Sequence, residues 1–169
     1  VTILDEEGKE VPPCTVGFLV IRNDNLGLSL GYRKMEDRWE AINRDGWFYT
    51  GDLARRDEDG YYWYVSRSDD LIKSRAYLIS PKEVEEALME HPAVLEAGVV
   101  GIPDPELGHR VKAYVTLKAG YRPSPALAKE IIEKVKTLIA PYKAPKEIEF
   151  VNEQPKTATG KILRRELRA

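Results

Sequence analysis

A lysine set behind a glycine, in "PKTATGKILRREL" (residues 155–167), is the first place where residue types and spacing point to chemistry. Glycine lets backbone amides approach an anion and an ammonium neutralises phosphate oxygens, so phosphate is the ligand to test first for Lys161. A P-loop is excluded. Its pattern, G-x-x-x-x-G-K-[ST], needs glycine where Pro155 stands and Ser or Thr where Ile162 stands. The plain alternative is a solvated terminal helix, because Lys156, Lys161, Arg164, Arg165 and Arg168 face only Glu166 in this segment. A second cluster lies mid-chain: "YTGDL" puts Asp52 directly after a glycine, and "SRSDDLIKS" holds Arg67, Asp69 and Asp70. A carboxylate accepts two hydrogen bonds and so suits the vicinal hydroxyls of a ribose, while arginine offers a planar donor fork to the same nucleotide. Read singly, Asp52 is equally a turn aspartate and Arg67 a surface ion pair with Asp69 or Asp70. His91 and His109 have no nucleophile near them in sequence and read as structural or exposed.

The elements that must position these groups change character near residue 66. Before it, short aromatic and β-branched runs ("GFLVIR", "DGWFYTGDL", "DEDGYYWYVS") are cut by Gly, Pro and Asp-Gly turns, which predicts strands. After it, "SPKEVEEALMEH" predicts a helix with Ser80 as N-cap, Pro81 at the first position, Glu83 at the capping-box position, and Val84, Ala87 and Leu88 on one face. Strands "AVLEAGVVGI" and "RVKAYVTLK" follow around the turn "PDPELGH", then a helix from Pro125 to Ile139, a strand "KEIEFV" and the basic terminal segment. The fold class is therefore α+β: a β-rich N-terminal subdomain over 1–66, then a small α/β domain over 67–169 with a short sheet flanked by helices. A formal charge of −2, from 26 basic and 28 acidic residues, argues against a nucleic-acid or membrane-surface partner. The single cysteine, Cys14, excludes an internal disulfide and a cysteine-rich zinc site. With no signal-like or membrane-spanning run, a cytoplasmic location is the expectation.

Three stretches together, "GYRKMEDRWEAINRDGWFYTGDLARRDEDGYYWYVSRSDDLIKS", "SPKEVEEALMEHPAVLEAGVVGIPDPELGHRVKAYV" and "PYKAPKEIEFVNEQPKTATGKILRREL", closely resemble the AMP-forming acyl-CoA synthetases of the adenylate-forming superfamily. The resemblance implies a carboxylic acid activated with ATP to an acyl-adenylate and passed to coenzyme A. It implies that Lys161 is the catalytic lysine of the first step, that Asp52 and Arg67 bind ribose, and that Asp69 is the hinge about which the C-terminal domain turns. Gly160 would give the lysine loop its freedom. The upstream domain would supply the phosphate loop, the acyl pocket and the ligands of Mg2+, so this chain reads as a C-terminal fragment, inactive alone. Small or medium monocarboxylic acids are implied, since "DGYYWYVSRSDDLIKS" looks nearest to the acetyl, medium-chain and benzoate ligases; a homo-oligomer stays open.

The departures fall on the second step. Ser66 stands for the glycine of Gly-Arg-x-Asp-Asp, and "SRAYLIS" replaces Ser-Gly-Tyr-Arg, so Ala76 adds a methyl beside the expected pantetheine tunnel and Leu78 removes a charge. Arg75 offers one from a shifted position. Lys143 and Lys136 lie where some relatives carry a basic residue near the nucleotide end of coenzyme A; both also read as plain surface lysines. Two other readings stand beside the ligase: adenylate formation with a different acceptor, and a non-enzymatic α+β module whose basic tail holds nucleic acid. Negative net charge and the absence of an RNP-type aromatic pattern count against the last.

Overall fold

Apolar alternation in the first third of the chain becomes an antiparallel sheet. The computed structural model describes residues 1–168 and divides into two units, Val1–Asp69 and the residues from Asp70 onward. In the first, β1 (Thr2–Leu4), β2 (Val16–Arg22), β4 (Trp47–Arg56) and β3 (Asn43–Arg44) lie in that order, and β5 (Tyr62–Arg67) pairs with β4. A short helix α1 (Glu36–Ile42) leads into β3. Ile3, Leu4, Val20, Leu53 and Ala54 are buried here. Register breaks between Phe18 and Val20 of β2 and between Leu53 and Ala54 of β4. Such bulges twist a strand and re-aim its side chains, and the second lies beside Asp52.

The boundary expected at 66/67 falls instead at 69/70. Arg67 completes β5 opposite Asp52, and its guanidinium also reaches Asp69, so both residues go with the first unit.

The second unit is a five-stranded sheet with helices. The strand order is β10 (Glu147–Phe150), β9 (Gly108–Leu117), β6 (Ile72–Ser74), β7 (Tyr77–Ile79), with β8 (Val94–Asp104) along β9. The helices are α2 (Pro81–Met89) and α3 (Pro125–Leu138), followed by a single 3-10 turn at Pro141–Lys143. Both helices start as their sequences dictate. Proline stands at the start, and the hydroxyls of Ser80 and Ser124 accept the amides of Glu83 and Leu127. The expected face of α2, Val84, Ala87 and Leu88, is buried together with Ile72, Ile79, Val94, Val99, Val111, Val115, Ile131 and Val135. Each such aliphatic side chain contributes roughly 1.5–3 kcal/mol on burial, which fixes the helices to the sheet.

Two features differ from the sequence reading. The turn "PDPELGH" shrinks to Pro105–Leu107, because Asp104 Oδ1 accepts the amides of Leu107 (2.9 Å) and Glu106 (3.0 Å) and the strands run on to meet it. Those two amides also hold the Asp104 carboxyl below its ordinary range. The hairpin β6–β7 has no counterpart in the expected α-β-β-α-β order. Its strands are three residues each, too short to show a period.

Candidate functional site

In the first unit, Gly51 turns β4 so that Asp52 meets Arg67. Gly51 has φ +79°, and a Cβ there would stand 2.7 Å from Arg67 Nη2, so only glycine lets the guanidinium lie against the backbone. Arg67 Nη1 donates to Asp52 Oδ1 and to the Thr50 carbonyl, both at 3.1 Å, and Nε donates to Asp69 Oδ1 at 3.4 Å. Burial opposes the Arg67 charge, but Asp69 and Asp52 outweigh it and hold the guanidinium above its ordinary value. The structure thus brings Asp52, Arg67 and Asp69 into one cluster. The bond from Arg67 to Oδ1 fixes the orientation of the Asp52 carboxylate.

In the second unit, Lys161 sits at the tip of a small hairpin. Lys156 and Ile162 form an antiparallel bridge, and Leu163 N donates to the Pro155 carbonyl at 2.8 Å. Around the tip, Thr157 N donates to Lys161 O (2.8 Å), Gly160 N to Thr157 O (2.9 Å), and Lys161 N to Thr157 Oγ1 (3.0 Å). Gly160 takes φ +82°. Three amides of the loop are thus satisfied from within, while the Lys161 side chain is exposed and its ammonium bonds to none of the described residues. The terminal segment is therefore a hairpin followed by one helical turn, α4 (Arg164–Leu167), rather than a solvated helix.

The base of the hairpin is fixed by contacts that the sequence does not reveal. Gln154, 2% exposed, donates Nε2 to the Tyr114 carbonyl at 2.8 Å. Lys156 Nζ pairs with Glu96 at 2.8 Å. Arg164 pairs with both Asp70 and Glu85. The segment lies close against Gly98 of β8: a Cβ there would meet Leu167 Cδ1 at 2.6 Å, Gln154 Oε1 at 3.0 Å and Ile162 Cγ2 at 3.3 Å. One sequence signal was present, since Glu85 lies on the apolar face of α2 beside Val84 and Leu88 and needs a cation to be buried there.

A third feature lies at the far end of β8. Ser74 pairs with Tyr77, leaving Arg75 and Ala76 as a two-residue hairpin loop. Arg75 takes φ +52°, its amide donates to the Leu107 carbonyl at 2.7 Å, and Ala76 keeps an ordinary φ. The residue in the left-handed conformation is thus Arg75, not the one at the family's glycine position. Beside it opens a cleft of about 610 Å³ lined by Arg75, Arg110, Lys146, Tyr77, Tyr142 and Asp104. The two tyrosine rings stack at 4.2 Å and 25°. Lys143 does not line it: its ammonium is held by both oxygens of Glu83, at 2.6 and 2.8 Å. Lys136 is likewise paired, with Glu133 at 2.7 Å. His91 is buried, accepts the Ala93 amide and pairs with Glu130, and His109 is exposed.

Residues 83–161 match the AMP-binding enzyme C-terminal domain. Over 171 residues the chain is 52% identical to 4-hydroxybutyrate–CoA ligase 1 of Metallosphaera sedula, covering 99% of this chain and 30% of that protein. The chain is thus similar to AMP-binding, adenylate-forming enzymes. The chain spans about 30% of the length of that relative. The fold is shared with an anthranilate CoA ligase solved with anthranoyl-AMP (TM-score 0.87, 41% identity, 98% of this chain and 32% of that one). It is shared also with an amide bond synthetase of Marinactinospora thermotolerans (TM-score 0.86, 32% identity, 98% and 33%). The segment matched to that domain begins at Glu83 and ends at Lys161. Among the described residues no group of three or more His, Cys, Asp or Glu is placed to hold a metal ion, and no helix is long and apolar enough to cross a membrane.

Proposed function

We propose that this chain is the C-terminal part of an AMP-forming acid–CoA ligase, in which the Lys161 hairpin serves adenylate formation and the Arg75 cleft serves coenzyme A. The observation that carries the reading is the build of the hairpin. The amides of Thr157, Gly160 and Lys161 are satisfied within the loop and the Lys161 ammonium is held out into solvent, as a group must be if it is to meet a substrate brought to it. A carboxylate attacking the α-phosphate of ATP approaches like charge, and an ammonium between their oxygens stabilises that transition state. Asp52, oriented by Arg67, takes the ribose hydroxyls. Asp69, the last residue of the first unit, is the hinge.

The cleft is suited to the other substrate. Arg75, Arg110 and Lys146 offer positive charge to phosphates, and the tyrosine pair offers a face to an adenine ring. Gly98 and Asp104 are six residues apart on β8, which at about 3.3 Å per residue puts the hairpin and the cleft roughly 20 Å apart along the strand. Separate ends of one rigid sheet suit two steps taken in turn. Lys143 is locked to Glu83, with its ammonium 6.0 Å from the centre of the Tyr142 ring. Among the described residues none form a site for magnesium, whose ligands would come from the rest of the protein. The substrate class is a small or medium monocarboxylic acid.

A second reading, adenylate formation with an amine or carrier thiol as acceptor, draws on Ala76 and Leu78 and on the likeness to an amide bond synthetase. The test is carboxylate-dependent ATP–pyrophosphate exchange by the complete protein, followed by addition of coenzyme A. Exchange followed by acyl-CoA and AMP is expected. Exchange with no thioester would replace the first reading by the second, and no exchange with any acid would refute both.

A further inference from the structure

Arg164 lies three residues beyond Lys161, at the start of a helix of only four residues. A single turn does not hold itself in water, so the ion pairs of Arg164 and the burial of Leu167 must fix it. The guanidinium is engaged on every side: Nε and Nη2 grip Glu85 at 3.1 and 2.6 Å, and Nη1 donates to Asp70 Oδ2 at 2.9 Å. Asp70 Oδ1 takes Arg168 at 3.0 Å, so two arginines meet two carboxylates. Glu85 Oε1 also accepts the Val99 amide of β8 at 2.9 Å. The side chains of Glu85, Asp70 and Arg164 are 10%, 19% and 23% exposed, too dry a place for an ornamental surface pair.

We infer that Arg164 is a positioning residue for Lys161: its fork, held between Glu85 of α2 and Asp70 at the start of the second unit, sets the height and rotation of the 155–163 hairpin and so the reach of the ammonium. The connection is short and covalent. Leu163 N is bonded to Pro155 O and Ile162 is bridged to Lys156, so a shift of Arg164 moves the whole hairpin rather than being absorbed by slack chain. Only arginine fits. A lysine at 164 keeps the charge, but one ammonium cannot reproduce a two-point grip on Glu85 and a third bond to Asp70. This inference rests on the proposed role of Lys161 and adds a residue to it. Asp70 follows the hinge residue directly, so the same strut ties the lysine loop to the residue at which the second unit begins.

The test is Arg164→Lys in the complete protein, alone and with Lys161→Ala. The kcat of carboxylate-dependent pyrophosphate exchange should fall by about tenfold to hundredfold, the penalty of misplacing a reacting group by up to an ångström, with the KM for ATP nearly unchanged. Thioester formation from preformed acyl-adenylate should stay within about twofold. In the Lys161→Ala background the same change should add less than about twofold, because the two act as one. Hydrogen exchange should quicken at the Lys161 and Leu163 amides and not at Ala113 or Val115 of β9. Unchanged kcat, full additivity with Lys161→Ala, or faster exchange throughout the sheet would each overturn the inference. If Lys161→Ala itself costs nothing, the catalytic reading of Lys161 fails, while the exchange pattern still decides whether Arg164 holds the hairpin. Should Arg164→Lys fail to fold, Glu85→Gln keeps an acceptor for Val99 and should give the same pattern at smaller size.

Discussion

Placing a methyl on Gly98 tests how tightly the terminal segment is seated. The new Cβ in Gly98→Ala would stand 2.6 Å from Leu167 Cδ1, 3.0 Å from Gln154 Oε1 and 3.3 Å from Ile162 Cγ2. The leucine methyl can swing away. Gln154 cannot, because its amide is buried and bonded to the Tyr114 carbonyl, and Ile162 is part of the bridge with Lys156. The segment must therefore lift by some tenths of an ångström. Overpacking of this kind costs about 1–3 kcal/mol, and alanine returns about 0.4–1 kcal/mol through the unfolded chain because Gly98 does not have a positive φ. A net loss of about 1–2 kcal/mol lowers Tm by roughly 5–10 °C for a unit of this size. Trp39, Trp47 and Trp63 all lie in the first unit, whereas α2 and α3 lie in the second. Ellipticity at 222 nm is therefore the readout and tryptophan emission the internal reference. A 222 nm midpoint equal to that of the unaltered protein would refute the close seating of the hairpin on β8.

Arg75→Gly should raise the same 222 nm midpoint by a few degrees, since a non-glycine residue in the left-handed region costs about 1–2 kcal/mol, and calorimetry should show weaker binding of 3′-phosphorylated adenine nucleotides. A lower midpoint, or unchanged nucleotide affinity, would contradict the roles given to that loop. Glu147 tests the ion pairs across β9 and β10: a hydrogen bond from Lys112, opposed by desolvation and reinforced by the Lys112 and Arg110 charges, holds its carboxyl below the ordinary value. A depressed folded-state pKa adds stability above the unfolded value and loses it as pH falls through the folded one. Glu147→Gln should accordingly be less stable than the unaltered protein near neutrality, by urea denaturation, and the gap should close below about pH 4. A gap independent of pH would show that the pairing contributes nothing through charge.

Helices α2 and α3 were legible because their signals are local. A hydroxyl N-cap, a proline at the first position and a 3.6-residue period all sit within one stretch of chain. The pairing of Asp52 with Arg67 was readable as residue types, but only the register of β4 against β5 makes the two neighbours. What was not legible is long-range. Arg164 is 79 residues from Glu85 and 94 from Asp70, and nothing in a basic tail says which of five cations is drawn inward. Gly98 reads as an ordinary strand glycine until Leu167 and Gln154 are seen against it. The Arg75–Ala76 loop was assigned its importance through the missing glycine, yet the backbone places the left-handed residue one position earlier. Lys143 looked like an accessible cation because its partner, Glu83, is 60 residues away and was read as half of a capping box.

Lys161→Ala in the complete protein, with the two half-reactions measured separately, is the most direct test of what the hairpin does. Removing a preorganised charge from a transition state costs about 3 kcal/mol or more, so pyrophosphate exchange should fall by about a hundredfold or more. Conversion of preformed acyl-adenylate to thioester should fall by less than about threefold, because the lysine has no part in that step. Equal losses in both half-reactions, or none in the first, would contradict a catalytic role for Lys161 and leave it a surface residue on a well-built loop.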